Sequence, residues 1–145
     1  MAEINEQTLS RKKIRQHICC LLYALSFYEE EAYDICIERY LNEQEITDAA
    51  DRAYIRERAC AVMAKRQEYD AMIDKKSDHW KAKRIARVDL AIIRLALYEM
   101  LEDETIPVSV AINEAVQLAK RYSSDASPAF VNGVLAQFAD KDKED

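Results

Sequence analysis

Four cationic side chains stand close together near the start of the sequence: Arg11, Lys12, Lys13 and Arg15. Residues 7–28 contain no acid, although the chain has 27 acidic against 21 basic residues and a formal net charge of −6. Cations concentrated in an otherwise acidic chain indicate a local site for a polyanion, not a general attraction for nucleic acid, and a solvated helix end is the alternative explanation for them. Beside phosphates, such side chains would fix position and register without reading a base sequence.

The remaining charge falls into an acidic segment and a second basic one. Residues 29–57 hold ten acids against three arginines. Residues 75–87 hold six lysines or arginines and one acid, Asp78. The chain therefore offers two concentrated basic stretches, separated by a segment that would repel a polyanion.

Metal binding and catalysis lack the residue patterns that they need. His17 is three residues before Cys20, but adjacent Cys19 and Cys20 would point about 100° apart on a helix, and no second pair has ligand spacing. The single glycine excludes a P-loop or a dinucleotide fingerprint, and no serine or cysteine elbow is present. We expect no catalytic residue, no metal and no cofactor.

The cysteines indicate a reducing compartment. Cys19, Cys20, Cys36 and Cys60 form no CxxC motif and no disulfide framework, which is typical of reduced, mostly buried thiols in an intracellular protein. Residues 1–10 show no apolar run after a basic region, so no signal peptide is expected. The predicted location is cytoplasmic.

Residues 88–101, VDLAIIRLALYEML, form the apolar stretch that must position everything else. Apolar side chains at helical spacing around nearly the whole circumference predict a helix buried on most sides. The run is too short, and too interrupted by Arg94 and Glu99, to span a bilayer. Such a helix needs other helices around it. One glycine, two prolines and no tight-turn dipeptide favour an all-α fold.

Apolar periodicity predicts the surrounding helices, and 145 residues suffice for one domain or two small subdomains with a shared core. Thr8 or Ser10 is expected to cap the first helix and Thr47 the third. Ser127 followed by Pro128 predicts a capped start for the last helix. A break or short separate helix is expected at residues 77–84. The predicted helices cover about residues 9–27, 30–42, 47–76, 86–103, 108–122 and 127–140.

Three residues in these helices raise specific expectations. Gly133 lies in the middle of the last helix, where glycine costs about 1 kcal/mol relative to alanine, and its apolar neighbours favour close helix–helix approach there. Asp89 is expected near the start of its helix, where a negative charge suits the helix dipole. Arg94 is five residues from the nearest acids of its own helix, so it is expected to pair with an acid on another helix.

Longer strings resemble a known family. VDLAIIRLALYEM (88–100), IPVSVAINEAVQLAKR (106–121) and SPAFVNGVL (127–135) resemble the C-terminal half of the NusB family, the bacterial transcription antitermination factors. RKKIRQHICCLLYAL (11–25) resembles the basic first helix of that family, including Tyr23. The resemblance extends over the whole chain and is most specific for residues 88–135.

The resemblance implies a fold: an all-α, compact bundle of about six to seven helices in two packed helical subdomains. It would be a single NusB-like domain over residues 1–145, with an N-terminal helical half at about 9–76 and a C-terminal half at about 77–140. Residues 1–8 and 140–145 are expected to be disordered.

The resemblance also implies a function without catalysis. Such proteins bind the boxA sequence of nascent single-stranded RNA together with the ribosomal protein NusE, as part of an RNA polymerase antitermination complex that reads through terminators. Asp89 would contact NusE. Tyr23 and Phe130 would touch bases, and phosphates would lie on the basic cluster of Arg11, Lys12, Lys13 and Arg15.

Two alternatives remain open beside this interpretation. The chain could be a protein-only helical scaffold or a homodimerising adaptor without RNA binding, or the RNA-binding appendage of an RNA methyltransferase if it is a fragment. Monomer and dimer are both compatible with the sequence. The loop Ser123-Ser124-Asp125-Ala126 also departs from the family, because Ala126 stands where a second acid is common. That change removes an anion near the expected RNA surface.

Overall fold

The computed structural model describes residues 8–76 and 78–139. Within these ranges there are seven α-helices and two short 3-10 turns, Glu30–Ala32 and Ala82–Arg84, and no strand. The all-α prediction is confirmed. The helices are α1 (Arg11–Leu25), α2 (Tyr33–Glu43), α3 (Ala49–Ala64), α4 (Arg66–Lys76), α5 (Arg87–Glu102), α6 (Val108–Tyr122) and α7 (Ser127–Ala139).

The chain divides into two compact units, Met1–Met63 and Ala64–Asp145. In the N-terminal unit, Leu21, Leu25, Ile37 and Ile55 are fully buried, which places α1, α2 and α3 around an apolar core. Ser10 caps α1, because its hydroxyl oxygen accepts a hydrogen bond from the Lys13 amide at 3.1 Å. On the outside, Arg52 and Arg56 of α3 both pair with Glu38 of α2.

The C-terminal unit is organised around α5. Nine of its sixteen residues are buried, as the apolar run predicted, and it packs against α4, α6 and α7. Ala91 and Ala96 are among the buried residues and allow close packing of the neighbouring helices. Arg94 forms the expected cross-helix ion pair: its Nε and Nη2 donate to the two carboxylate oxygens of Asp70 at 2.9 and 2.6 Å. This bidentate pair ties α4 to α5.

The structure corrects several local predictions. The helix predicted at 47–76 is two helices that break at Lys65. Asp48, not Thr47, caps α3, since its carboxylate accepts from the Asp51 amide at 3.0 Å. The segment after Glu29 begins as a 3-10 turn, and α2 starts only at Tyr33. Ser127 is the first helical residue of α7, and its hydroxyl donates to Asp89 instead of capping the helix.

The prediction of close helix–helix packing at Gly133 is wrong. Gly133 is exposed, and a Cβ added there would meet no atom within 4 Å. The buried residues of α7 are Val131, Val134, Leu135 and Phe138, at i, i+3, i+4 and i+7. Gly133 lies on the opposite face of that helix, so its apolar neighbours in sequence turn away from it.

Some expectations fall outside the described ranges. The expectation of disordered ends concerns residues 1–8 and 140–145, of which 1–7 and 140–145 lie outside the described ranges. Thr8 is described, and it is exposed and lies in no helix. In the described ranges, no helix has both the length and the apolar character needed to cross a membrane. All four cysteines are free thiols, of which Cys19 and Cys36 are buried, Cys20 is half-buried and Cys60 is exposed.

Candidate nucleic-acid interface

The first turns of α1 display the basic cluster. Arg11, Lys12 and Lys13 are exposed, and the first turn of α1 contains no acid. The amino end of a helix carries partial positive charge, so these cations add to a positive field rather than cancel it. One carboxylate of the chain lies close: Asp51 Oδ2 accepts a hydrogen bond from the Leu9 amide at 2.8 Å. An arriving anion would meet three exposed cations around this helix start.

Arg15 is placed differently from the other three cations. It is four residues before Cys19 and seven before Leu22, both buried, so it lies toward the core side of α1 and is half-buried. A long arginine side chain can cover apolar surface with its hydrocarbon stem while the guanidinium reaches water. The cluster therefore combines three solvent-facing cations with one that is partly fixed by packing.

His17 lies next along α1 and is held by the N-terminal unit. Its Nδ1 is 2.8 Å from the Tyr40 hydroxyl, and the two rings meet edge to face at 5.8 Å. Burial lowers the pKa of His17, and the positive charge of Lys13 lowers it further. Lowering the pKa of His17 favours its neutral form, so this histidine adds little positive charge to the basic cluster near neutral pH.

Tyr23 lies near the far end of the same helix, roughly 18 Å along the axis from Arg11. Its side chain is 38% exposed, and its ring contacts Phe27 edge to face with centroids 5.1 Å apart. Phe27 and Tyr28 are also exposed, so Tyr23 belongs to an aromatic patch at the end of α1. Its ring is accessible to a base, and an RNA would have to extend along α1 to reach it from the basic cluster.

In the C-terminal unit, the predicted residues Phe130 and Asp89 line one cleft of about 360 Å³. This volume is at the lower end of ordinary ligand sites, which span roughly 300–1,000 Å³. Apolar and aromatic walls meet a polar end that contains a carboxylate and two hydroxyls. The lining residues are His79, Trp80, Arg84, Ile85, Ala86, Asp89, Ser124, Ala126, Ser127 and Phe130.

A serine network fixes Asp89 at the polar end of the cleft. Asp89 is 7% exposed; Ser123 Oγ donates to its Oδ1 at 2.6 Å and Ser127 Oγ donates to its Oδ2 at 2.9 Å. Ser124 Oγ lies 2.9 Å from Ser127 Oγ. Each hydroxyl has one hydrogen, and that of Ser127 is committed to Asp89, so Ser124 is the donor in this contact. The network compensates a buried charge and ties the α6–α7 loop to the start of α5.

A second hollow, of about 480 Å³, lies between α6 and α7. Ile112, Val116, Pro128 and Ala129 give it apolar walls, and Asn113 and Asn132 contribute amides. Its lining contains no charged residue, so it offers no cationic side chain to a phosphate.

The predicted site residues thus divide between the two units. The basic cluster and Tyr23 belong to the N-terminal unit, whereas Phe130 and Asp89 belong to the C-terminal unit and share the cleft. Residue contacts with RNA or NusE stay predictions.

Sequence reasoning missed Trp80 and Arg84 as lining residues. Trp80 is the only tryptophan of the chain and lies inside the basic segment of residues 75–87, and this combination could have indicated it as a site residue.

Comparison with known proteins connects these features to one family. The NusB family matches residues 12–140 of the chain. The transcription antitermination protein NusB of Agathobacter rectalis is 46% identical over 133 residues, which are 90% of this chain and 100% of that protein. The NusB protein of Acetivibrio thermocellus is 42% identical over 133 residues and covers 89% of this chain and 88% of its own length.

Solved structures agree in fold. NusB of T. maritima superposes with a TM-score of 0.82 at 29% identity, covering 93% of this chain and 94% of that one. A crystal structure of antitermination factors NusB and NusE in complex with dsRNA contains a chain with a TM-score of 0.75 at 22% identity, covering 87% of this chain and 92% of that one. At that identity the second likeness shows the fold alone. The match over nearly the whole chain and the 46% identical relative show that this chain belongs to the NusB family.

Proposed function

We propose that the chain is a transcription antitermination factor that binds boxA-type single-stranded RNA together with the ribosomal protein NusE. The proposed complex acts on RNA polymerase and promotes read-through of terminators. Relatives named transcription antitermination protein NusB, at up to 46% identity among those compared, support the activity. A protein of the same fold crystallised with NusE and dsRNA supports NusE and RNA as partners.

The observation that carries the RNA part is the exposed basic start of α1 in an acidic chain. Arg11, Lys12 and Lys13 are exposed, residues 7–28 contain no acid, and the whole chain carries −6. A polyanion would therefore be attracted to this region and repelled by residues 29–57. Phosphate contacts at α1 would hold the RNA, and the accessible rings of Tyr23 and Phe130 would touch bases.

The proposed role is that of a cytoplasmic adaptor without catalytic activity. Binding and positioning explain the features of the candidate interface, namely exposed cations, accessible rings and a cleft with a fixed carboxylate. Asp89 is proposed to contact NusE through the rim of its cleft, with the serine network keeping the carboxylate in place.

The test is a titration of a short, labelled boxA RNA with the whole chain, with and without NusE, followed by fluorescence anisotropy over a range of salt concentrations. With four phosphate contacts, log affinity should fall against log salt with a slope of about −3, since single strands give roughly −0.7 per contact. The Arg11→Ala/Lys12→Ala double variant should flatten the slope by about 1.4 and weaken binding to all RNAs alike.

Arg39→Ala is the charge control, because Arg39 is an exposed cation on α2, outside the basic cluster. Its salt slope should match that of the unchanged chain. NusE should raise the affinity for boxA RNA. If neither the chain alone nor the chain with NusE binds boxA RNA, the protein-only scaffold or homodimerising adaptor becomes the better explanation.

A further inference from the structure

Trp80 and Phe130 form an aromatic corner in the cleft of the C-terminal unit. Their ring centroids are 6.4 Å apart, and their planes are nearly perpendicular at 89°. In an edge-to-face pair, one ring presents its edge to the other, so neither ring covers both faces of its partner. Both side chains are half-buried and line the cleft. The corner can therefore accept a flat ring from outside the chain.

A cation is fixed at the same cleft by the 3-10 turn Ala82–Arg84. Ala82 and Ile85 are buried on either side of exposed Lys83 and Arg84, and Arg84 lines the cleft. The turn is attached to the end of α4, because Asp74 Oδ1 accepts from the Ala82 amide at 2.7 Å. Arg84 is thus presented from an anchored backbone, which lowers the entropy lost when it binds an anion.

The opposite end of the cleft is polar. The Asp89 carboxylate is held in one orientation by Ser123 and Ser127, and Ser124 Oγ lies beside them. An unstacked nucleotide presents a flat face, a phosphate and a base edge. The cleft has a group that suits each of them: an aromatic wall, a cation at the rim and fixed polar groups at the end.

We propose that Trp80 and Arg84 extend the RNA-binding surface and, with Phe130, hold one unstacked nucleotide of the bound strand. This inference rests on the proposed function, because its ligand is a nucleotide of the same RNA. The base packs on the ring of Trp80 beside Phe130, and Arg84 contacts the neighbouring phosphate. The proposal thereby adds Trp80 and Arg84 of the second basic segment to the RNA-contacting residues.

A purely structural role for Trp80 would be to support Phe130, so the test needs a signal that such a role would not produce. Trp80 is the only tryptophan of the chain, so tryptophan fluorescence reports on the cleft alone. A base packed on the indole should quench this fluorescence. The quenching should saturate at the same RNA concentration as the anisotropy of labelled boxA RNA.

An abasic series identifies the nucleotide. Each base of the RNA is removed in turn while its phosphate is kept, and quenching is measured at saturating RNA. One position, or two adjacent ones, should lose the quenching and lower the affinity. The same abasic RNA should bind the Trp80→Leu variant no more weakly than the intact RNA does, because the interaction is already missing there.

Variants test each side chain separately. Trp80→Leu keeps an apolar contact with Phe130 and should weaken RNA binding roughly five- to hundredfold, the range typical of one stacked base. Arg84→Ala should flatten the salt slope by about 0.7. Lys75→Ala is the control, since Lys75 is an exposed cation of the same basic segment that does not line the cleft. Its slope should be unchanged.

The outcomes separate this inference from the function on which it rests. RNA binding with unquenched Trp80 fluorescence, or with full affinity and slope in Arg84→Ala, overturns the nucleotide site and leaves the proposed function standing. If RNA quenches the fluorescence of the unchanged chain but the Trp80→Leu variant binds RNA with full affinity, the nucleotide site is also overturned. The indole would then only sense a distant change. Absence of any RNA binding overturns both. Arg84 is exposed, so its variant remains informative even if Trp80→Leu fails to fold.

Discussion

At the scale of single residues, the least ordinary group in the C-terminal unit is a buried carboxylate held by hydroxyls. Asp89 accepts hydrogen bonds from the hydroxyls of Ser123 and Ser127, one on each carboxylate oxygen. Each carboxylate oxygen can accept more than one hydrogen bond. Asp89 can therefore still accept a hydrogen bond from a base edge or from a protein partner at the cleft.

We expect His17 to make the stability of the fold depend on pH. Burial, and then the charge of Lys13, lower its pKa in the folded chain below the ordinary value of 6.5. As the pH falls below about 6.5, the unfolded chain takes up the proton first, so the folded state loses stability. Thermal melts between about pH 7 and pH 5 should show a smaller decline of Tm for His17→Asn than for the unchanged chain.

The comparison between His17→Asn and the unchanged chain decides whether His17 is responsible. Equal declines for the His17→Asn variant and the unchanged chain would show that His17 contributes nothing to the pH dependence.

We expect replacement of Gly133 by alanine to stabilise the fold. The residue lies within α7, is exposed, and has open space where a Cβ would project. Gly133→Ala should raise the free energy of unfolding by about 0.8–1.0 kcal/mol, because alanine loses less backbone entropy in a helix. Denaturant unfolding measures the difference.

The same helix offers the reverse substitution as a matched control. Ala136 is also exposed on α7, so Ala136→Gly should lower the free energy of unfolding by a similar amount. A loss of stability in Gly133→Ala would restore the close-packing interpretation that the structure contradicts.

At the scale of elements, apolar periodicity predicted most helices because each buries one face at regular spacing. The predicted range of α6, residues 108–122, matches the structure, and α5 is buried as expected. The break at Lys65 was not predictable, because residues 64–66 contain no glycine or proline. Tertiary contacts such as that of Arg94 with Asp70 hold α4 against α5. Such contacts cannot be predicted from the residues around the break.

The candidate site shows the same limit. The basic cluster is contiguous in sequence, so its charge could be recognised directly. The cleft joins Trp80, Asp89 and Phe130, which are far apart in the chain, so their association depends on how α5 and α7 pack. Phe130 and Asp89 were found only through the family resemblance, and Trp80 was not found, although its basic surroundings were noted.

A substitution in the loop between α6 and α7 tests how charge at the cleft affects RNA binding. Ala126 is exposed and lines the cleft together with Phe130. Ala126→Asp adds an anion there and should weaken binding of boxA RNA by about 0.5–1 kcal/mol at low salt. The loss should shrink as salt rises, because screening acts over about 8–10 Å at physiological ionic strength.

A neutral substitution separates charge from size at this position. Ala126→Asn is nearly isosteric with the aspartate variant and should bind RNA almost as the unchanged chain does. NusE binding without RNA should be the same for all three chains. If Ala126→Asp binds boxA RNA with undiminished affinity at low salt, the loop does not approach the RNA, and the placement of Phe130 in the site fails with it.

At the scale of the whole molecule, the charge distribution restricts where RNA can bind. The chain carries −6, and ten of its 21 lysines and arginines lie in residues 11–15 and 75–87, one group in each unit. Long-range attraction for a polyanion is therefore weak, and we predict that affinity depends on local contacts with exposed cations such as Arg11, Lys12 and Arg84. High salt should weaken the complex mainly through these few contacts.

If one RNA strand contacts both groups, substitutions in the two units should act on the same binding event. The Arg11→Ala/Lys12→Ala and Phe130→Ala variants change residues of different units, so their losses of binding free energy should add within about 0.3–0.5 kcal/mol. Anisotropy titrations of boxA RNA at one fixed salt concentration measure the sum. Shortening the RNA stepwise from one end should abolish the effect of one variant while that of the other persists. Independent binding of two strands would instead give two RNAs per chain at saturation, and shortening would then leave both effects in place.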